Sequence, residues 1–334
     1  MHRTRHGVGR YLRKTIVCPG KVLLILAVAG LGHLRHAAPC LAAGVLLSAC
    51  TVKVPVDNGP ELALQFDPVM YVASKAETAP GQYPDGQPFG VSAWVYEPGA
   101  AWDGADAAPF LTDARISEQG HVWEPVPSVL WPDNRHRLAV QAYAPYGAAG
   151  VIDAQAGVTF SEVDVTRNQT DLLYTAPVTG LSGERVGGVV NLPFRHALCL
   201  VDFQLRCNAA EGERAVVSGV SLDGIGCTGS FRSLPQAEWA LEGDARELVF
   251  FEGSQDLEHT NRPVGEQRWV IPQFSRACVA VQLVYHDFWG NETLMDLRSA
   301  PLYIPLEPGR HYTFSLACAL DAGTLKVDLL DDLL

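Results

Sequence analysis

Alternation of apolar and polar residues with a period of two restricts this chain more than any other feature. Phe89, Val91, Ala93 and Val95 alternate with Ser92, Trp94 and Tyr96. Leu138, Val140 and Ala142 alternate with Ala139, Gln141 and Tyr143. Val201, Phe203 and Leu205 alternate with Asp202, Gln204 and Arg206. The same pattern recurs in Leu62–Phe66, Val279–Tyr285 and Tyr312–Cys318. In an extended strand successive side chains leave on opposite faces, so this spacing predicts strands with one buried face. Turn formers separate the runs: Pro84-Asp85-Gly86, Glu97-Pro98-Gly99, Trp131-Pro132-Asp133-Asn134 and Glu307-Pro308-Gly309. Many short strands with regular turn signals predict an all-β chain of β-sandwich type. Helical spacing is faint; the one short helix expected lies at Pro235–Asp244. A Gly-rich polar stretch, Thr179–Gly188, is expected to separate an N-terminal sandwich (residues 50–183) from a C-terminal one (184–334). The alternative is a long hairpin loop inside a single domain.

The N-terminal region carries a different signal. Residues 1–49 hold seven of the 25 basic residues and none of the 37 acidic ones. They contain two apolar pieces, Val22–Leu31 and Ala37–Ala49, each shorter than the roughly 18–20 residues needed to cross a bilayer. The second ends in Leu47-Ser48-Ala49-Cys50, and polar sequence follows. A small-residue cleavage site after an apolar core marks a secretory signal. A thiol in the next position marks the lipobox of a lipoprotein. Cys50 is therefore the expected lipidation site, with residues 1–49 removed and residues 1–33 either an upstream extension or the product of a mis-called start. The plainer alternative is a signal-anchor helix with a chance Cys.

Removal of the leader leaves a strongly acidic body, 18 basic against 37 acidic residues. Such a body is repelled by phosphate backbones, which argues against nucleic acid as a partner. Membrane attachment would then rest on the lipid.

Of eight cysteines, five remain beyond Cys50: Cys199, Cys207, Cys227, Cys278 and Cys318. None has the ligand spacing of a zinc site, and no metal or cofactor is expected. In an oxidising compartment Cys207 and Cys227 are a candidate disulfide; Cys199 and Cys318 read as buried strand residues. No P-loop, GxGxxG, GxSxG or HExxH motif occurs, and no catalytic residue is assigned. Glu162 and Asp164 lie two apart on an expected strand, half of a glycosidase-like pair or, more plainly, solvated surface. His196 reads as a packed structural residue. In His286–Asn291, Trp289 with Asp287 and Asn291 has the makings of a glycan contact; the plainer alternative is a turn whose Trp plugs the core.

Several segments, in order, resemble the fimbrillin family of Bacteroidetes lipoproteins, the major and minor fimbrial subunits. After the lipobox come Leu62–Asp67, then Tyr83-Pro84-Asp85-Gly86-Gln87-Pro88-Phe89-Gly90-Val91-Ser92-Ala93-Trp94. Trp123, Leu130-Trp131-Pro132 and Ala142-Tyr143-Ala144-Pro145-Tyr146 follow. Thr170-Asp171-Leu172-Leu173-Tyr174 and Val190-Asn191-Leu192-Pro193-Phe194-Arg195-His196-Ala197-Leu198-Cys199 complete the set, with Cys199 where the family commonly has Ser.

The resemblance implies two tandem transthyretin-like Greek-key β-sandwiches and no enzymatic activity. It also implies export to the outer membrane surface through the lipid anchor, and assembly into a fimbrium with other fimbrial subunits by donor-strand exchange. Stalk subunits of the family are cut after the first strand, commonly at Arg. Here no Arg lies between Cys50 and Arg115, so two expectations stand. Either processing uses Lys75 or another bond near Ser74-Lys75-Ala76, or the first strand and its lipid are retained, as in an anchor or accessory subunit. A stalk, tip or anchor position all stay open, as does adhesion to a host or bacterial receptor or glycan. The C-terminal pair Tyr312–Leu320 and Leu325–Leu329 is expected to close the second sandwich, with a donor strand as the alternative. A surface glycan-binding or glycan-processing lipoprotein is the second functional expectation.

Overall fold

The computed structural model of the chain describes residues 62–71, 81–132 and 135–334. The leader, Cys50 and Lys75 lie outside these residues. The first strands are β1 (Gln65–Met70), β2 (Gly81–Gln82), β3 (Phe89–Tyr96), β4 (Ala108–Gln119), β5 (Val122–Pro125), β6 (Arg137–Ala144), β7 (Gly150–Asp153), β8 (Gly157–Asp164), β9 (Leu173–Thr175) and β10 (Val178–Leu181). One helical turn, α1 (Gly183–Val186), leads into β11 (Val189–His196), β12 (Cys199–Cys207), β13 (Arg214–Ile225), β14 (Thr228–Arg232), β15 (Glu238–Glu242) and β16 (Arg246–Asp256). Then come β17 (Arg262–Val270), β18 (Gln273–His286), β19 (Glu292–Arg298), β20 (Leu302–Leu306), β21 (Arg310–Ala319) and β22 (Thr324–Leu333). The chain is all-β, as its periodicity predicts.

Two hydrophobic clusters organise these strands. The first gathers Leu64, Phe66, Phe89, Val91, Val140, Leu173, Leu192 and Phe194. Around it the pairings run β6-β3-β4-β5-β1-β11-β9, and β9 pairs back to β6, so the ring of hydrogen-bonded strands closes. Closure leaves no sheet edge inside the ring, which is one way a β fold avoids stray pairing. The strand β11 follows residue 184 in sequence, yet it pairs with β1 and β9.

The second cluster lies between the sheets β17-β12-β21-β22 and β16-β13-β18-β19, with β20 added to β18. Phe203 on β12 meets Phe250 on β16 edge-on at 4.7 Å and stacks on Phe314 of β21 at 5.0 Å. A separate sheet, β15-β14-β8-β7, joins a hairpin from each half of the chain. The hairpin β21–β22 pairs from Arg310↔Leu333 to Ala319↔Thr324. Along its outer strand Lys326, Asp328, Asp331 and Asp332 place charge on an exposed edge.

Two sequence expectations are corrected. Residues 238–242 form β15 rather than part of a helix. A helix this short is marginal by itself, whereas the edge of β14 offers five paired positions from Thr228↔Glu242 to Arg232↔Glu238. Trp239 adds a hydrogen bond from its ring N–H to the Ala197 carbonyl, 2.7 Å. Cys207 and Cys227 are not bonded to each other, and the five described cysteines are unpaired in this structure. Cys227 donates to the carbonyl of Ile225 beside it, 3.4 Å, while Cys207 ends β12 and contacts the carbonyl of Leu257, 3.8 Å.

Tyr143 illustrates how closely the strands approach. Its ring is buried and its hydroxyl donates to Asp113, 2.9 Å, an arrangement that with burial pushes its pKa up to about 12. Gly90 and Gly150 lie against the two sides of this ring, and a Cβ at either would collide with it. Gly90→Ala is expected to cost about 1–3 kcal/mol of stability through overpacking. Urea denaturation reads this; an unchanged midpoint would show that the ring yields without strain.

Candidate functional site

The most informative site is the slot occupied by β1. Its sequence, Gln65-Phe66-Asp67-Pro68-Val69-Met70, buries Phe66, Pro68 and Met70 while Asp67 is exposed. On one side β1 runs parallel to β11 in unbroken register, Gln65↔Val189 to Met70↔Phe194. Gln65 N–H donates to Gly188, 2.9 Å, and Tyr71 N–H to Phe194, 2.7 Å, fixing both ends. On the other side the hold is thin. Only Phe66↔Trp123 pairs with β5, and Val69↔Gln82 and Met70↔Gly81 pair with β2. Pro68 carries no N–H, so part of that edge has nothing to donate. Just upstream, Leu64 N–H donates to Val129, 2.8 Å, and Trp131 N–H to Leu62, 2.9 Å.

Beneath β1 the slot is aromatic. Phe89 sits at its centre, with ring centroids 6.2 Å from Phe66, 5.7 Å from Tyr83, 5.4 Å from Trp123 and 5.3 Å from Phe194. Tyr83 donates its hydroxyl to Gln87, 3.1 Å, and burial raises its pKa. At the far end of β1 the Arg195 guanidinium lies over the Tyr71 ring, 4.2 Å from its centroid. A depression of about 250 Å³ opens there, lined in part by Tyr71, Arg195, His196, Gly309 and Leu334. The alternating residues of β1 were visible in the sequence. Its parallel partner was not, because the pairing spans more than a hundred residues.

The aromatic loop singled out in the sequence forms the tip between β18 and β19. Asp287 and Asn291 are bound to each other: the Asn291 amide donates to the Asp287 carboxylate, 2.7 Å. The Asn291 and Trp289 N–H groups reach the other carboxylate oxygen at 2.8 and 2.9 Å. Gly290 supplies the left-handed backbone, φ +81°, that the turn requires. Trp289 does not plug the core; it is 83% exposed, and Phe288, edge-on to it at 6.0 Å, is 69% exposed.

Asn291, through its side chain and then its N–H, holds the Asp287 carboxyl below the usual carboxylate range. A depressed carboxylate pKa means that the tip's order is present above the ordinary value and lost as pH falls through the lowered one. An NMR titration of the Asp287 carboxyl is expected to give a midpoint below that of a free Asp, and Asn291→Ala is expected to raise that midpoint part of the way, since the backbone N–H donors remain. An ordinary midpoint in the parent chain would contradict this geometry.

The remaining candidates have structural partners. Asp164 accepts from the N–H and hydroxyl of Thr166, 2.9 and 2.6 Å, and pairs with Arg167, 3.5 Å. Glu162 sits at φ 55°, where the β8–β14 register shifts. His196 bonds Asp171, 3.0 Å, and stacks on Trp269. Among the described residues no three His, Cys, Asp or Glu gather as metal ligands, and no helix is long and apolar enough to cross a membrane.

A model of the fimbrillin-like family matches residues 76–327. A fimbrial protein from Bacteroides vulgatus has a similar solved structure, with a TM-score of 0.61 at 15% identity, covering 81% of this chain and 99% of that one. A candidate cell adhesion protein from Bacteroides ovatus gives 0.53 at 15% identity, over 80% and 95% of the two chains. One from Bacteroides uniformis gives 0.51 at 16%, over 81% and 98%. Among curated proteins, none matches the sequence. At these identities the structural likeness establishes the fold.

Proposed function

Because this chain belongs to the fimbrillin-like family, we propose that it is a non-enzymatic fimbrial subunit or pilus anchor that assembles by strand exchange at the β1 slot. The supporting observation is the uneven hold on β1, fully paired to β11 but barely to β5, over an aromatic floor. If β1 leaves, a neighbour's strand finds an open edge beside β11 and pockets for alternate side chains, the recipe for β-augmentation. A head-to-tail contact whose rotation does not close grows into a filament. On this reading the chain comprises two β-domains, one around each hydrophobic cluster. Cys50 carries the lipid that holds it at the outer membrane, and other fimbrial subunits are its partners.

Retention or loss of β1 separates anchor from stalk, and intact mass with N-terminal sequencing of the protein from the cell surface reads it. A lipidated Cys50 with nothing further removed identifies an anchor or accessory subunit. A lipid-free N-terminus at Ala76 identifies a processed subunit. An unlipidated chain that still carries its leader overturns both. Adhesion is placed on the exposed Trp289–Phe288 tip, where an aromatic face suits sugar stacking. Saturable oligosaccharide binding lost in Trp289→Ala supports that role, and binding unaffected by the substitution removes it.

A further inference from the structure

Cys207 and Cys318 are the last inward-facing residues of neighbouring parallel strands. The β12–β21 ladder runs Val201↔Tyr312, Phe203↔Phe314, Leu205↔Leu316 and Cys207↔Cys318, with every one of these side chains buried. The stacked Phe203–Phe314 pair shows that directly opposed residues on this face touch. Adjacent strands lie about 4.8 Å apart, inside the Cα separation of about 4.4–6.8 Å that a disulfide bridges. Just beyond the pair, Asn208 fixes both strand ends. Its N–H donates to the Cys318 carbonyl, 3.4 Å, and its side chain accepts from Leu320 N–H, 2.9 Å, and donates to Asp321, 3.0 Å. Among the described cysteines no other two are opposed in register: Cys199 faces Val270 and Cys278 faces Asp223.

We propose that Cys207 and Cys318 form a disulfide that locks β21, and with it the C-terminal hairpin, to β12. The step is thiol–disulfide exchange with a disulfide donor, either a thiol oxidase of an oxidising compartment or a small-molecule disulfide. One thiolate attacks the donor to form a mixed disulfide and release a thiol. The second thiolate then displaces the remaining donor thiol and closes the S–S bond. The protein loses two electrons and two protons, and the donor gains them. Both cysteines border one surface depression of about 410 Å³, lined also by Asn208, His259, Thr324 and Lys326. Burial raises both thiol pKa values, that of Cys318 to about 12. The exchange therefore belongs to the folding chain, before the strand ends close over the sulfurs.

Peptide mapping tests the pairing on the full chain from two sources: exported to an oxidising periplasm, and refolded in a glutathione redox buffer. Each is denatured in alkylating reagent without reductant. Among the five cysteines beyond Cys50, the expected result is alkylation of Cys199, Cys227 and Cys278 only, with a cross-linked peptide joining Cys207 to Cys318. That peptide disappears in Cys318→Ala and persists in Cys227→Ala. Alkylation of both Cys207 and Cys318 in both preparations overturns the proposal, as does a Cys207–Cys227 link. Linkage in the buffer but not after export upholds the pairing and identifies a small-molecule disulfide, rather than a thiol oxidase, as its donor.

Discussion

A chain beginning at Ala76, without β1, is expected to lose its monomeric state and to recover it when a peptide of residues 62–71 is added in trans. Leu64, Phe66 and Met70 are buried by this segment. At about 1.5–3 kcal/mol for each large apolar side chain, their removal withdraws roughly 5–9 kcal/mol. That is comparable with the whole stability of an ordinary domain, about 5–15 kcal/mol. The loss is also topological, because β1 is the link between β5 and β11 in the closed ring. Without it the edge of β11 that faced β1, from Val189 to Phe194, is open over an exposed aromatic floor. Light scattering and non-heated SDS gels are expected to show oligomers for the shortened chain and monomer once the peptide is supplied. A peptide carrying Phe66→Ala and Met70→Ala should not rescue. A shortened chain that stays monomeric with an unaltered melting midpoint would remove strand exchange at this slot from consideration.

Phe89→Ala is expected to cost about 3–5 kcal/mol, the usual range for truncating a buried Phe. The value should fall in the upper part of that range, because four aromatic neighbours meet this ring and all lose that contact at once. Phe66 and Phe194 are among those neighbours, so the substitution also weakens the seat of β1 and should raise its exchange with added peptide. Denaturant titration measures the first effect, and the rate of peptide incorporation the second. Trp289→Ala is the matching control: an 83% exposed side chain should change stability by no more than about 0.5 kcal/mol. Equal losses in the two variants would mean that the aromatic floor is not the core of this half of the chain.

Alternation decided much of this protein from the sequence alone. The runs Phe89–Tyr96, Leu138–Tyr143, Val201–Arg206 and Tyr312–Cys318 all became strands, because side-chain direction along an extended backbone is a local property; Val201–Arg206 and Tyr312–Cys318 bury the anticipated face alone, whereas Phe89–Trp94 and Leu138–Tyr143 are buried on both faces, which alternation did not foretell. The turns at Asp85-Gly86 and Pro308-Gly309 were legible for the same reason. The aromatic tip at Trp289 was visible as a composition, though not its internal bonding: Asp287 and Asn291 serve each other.

What the tertiary structure decided was partnership. Nothing near Gln65–Met70 says that it lies parallel to Val189–Phe194, and nothing near Cys207 says that Cys318, rather than Cys227, lies beside it. Glu238–Glu242 reads weakly as helix until the edge of β14 supplies its hydrogen bonds. The reason is physical. A strand's period fixes which face is apolar, but its backbone groups bond to whichever distant strand the packed core brings alongside, and that choice is made by the whole chain at once.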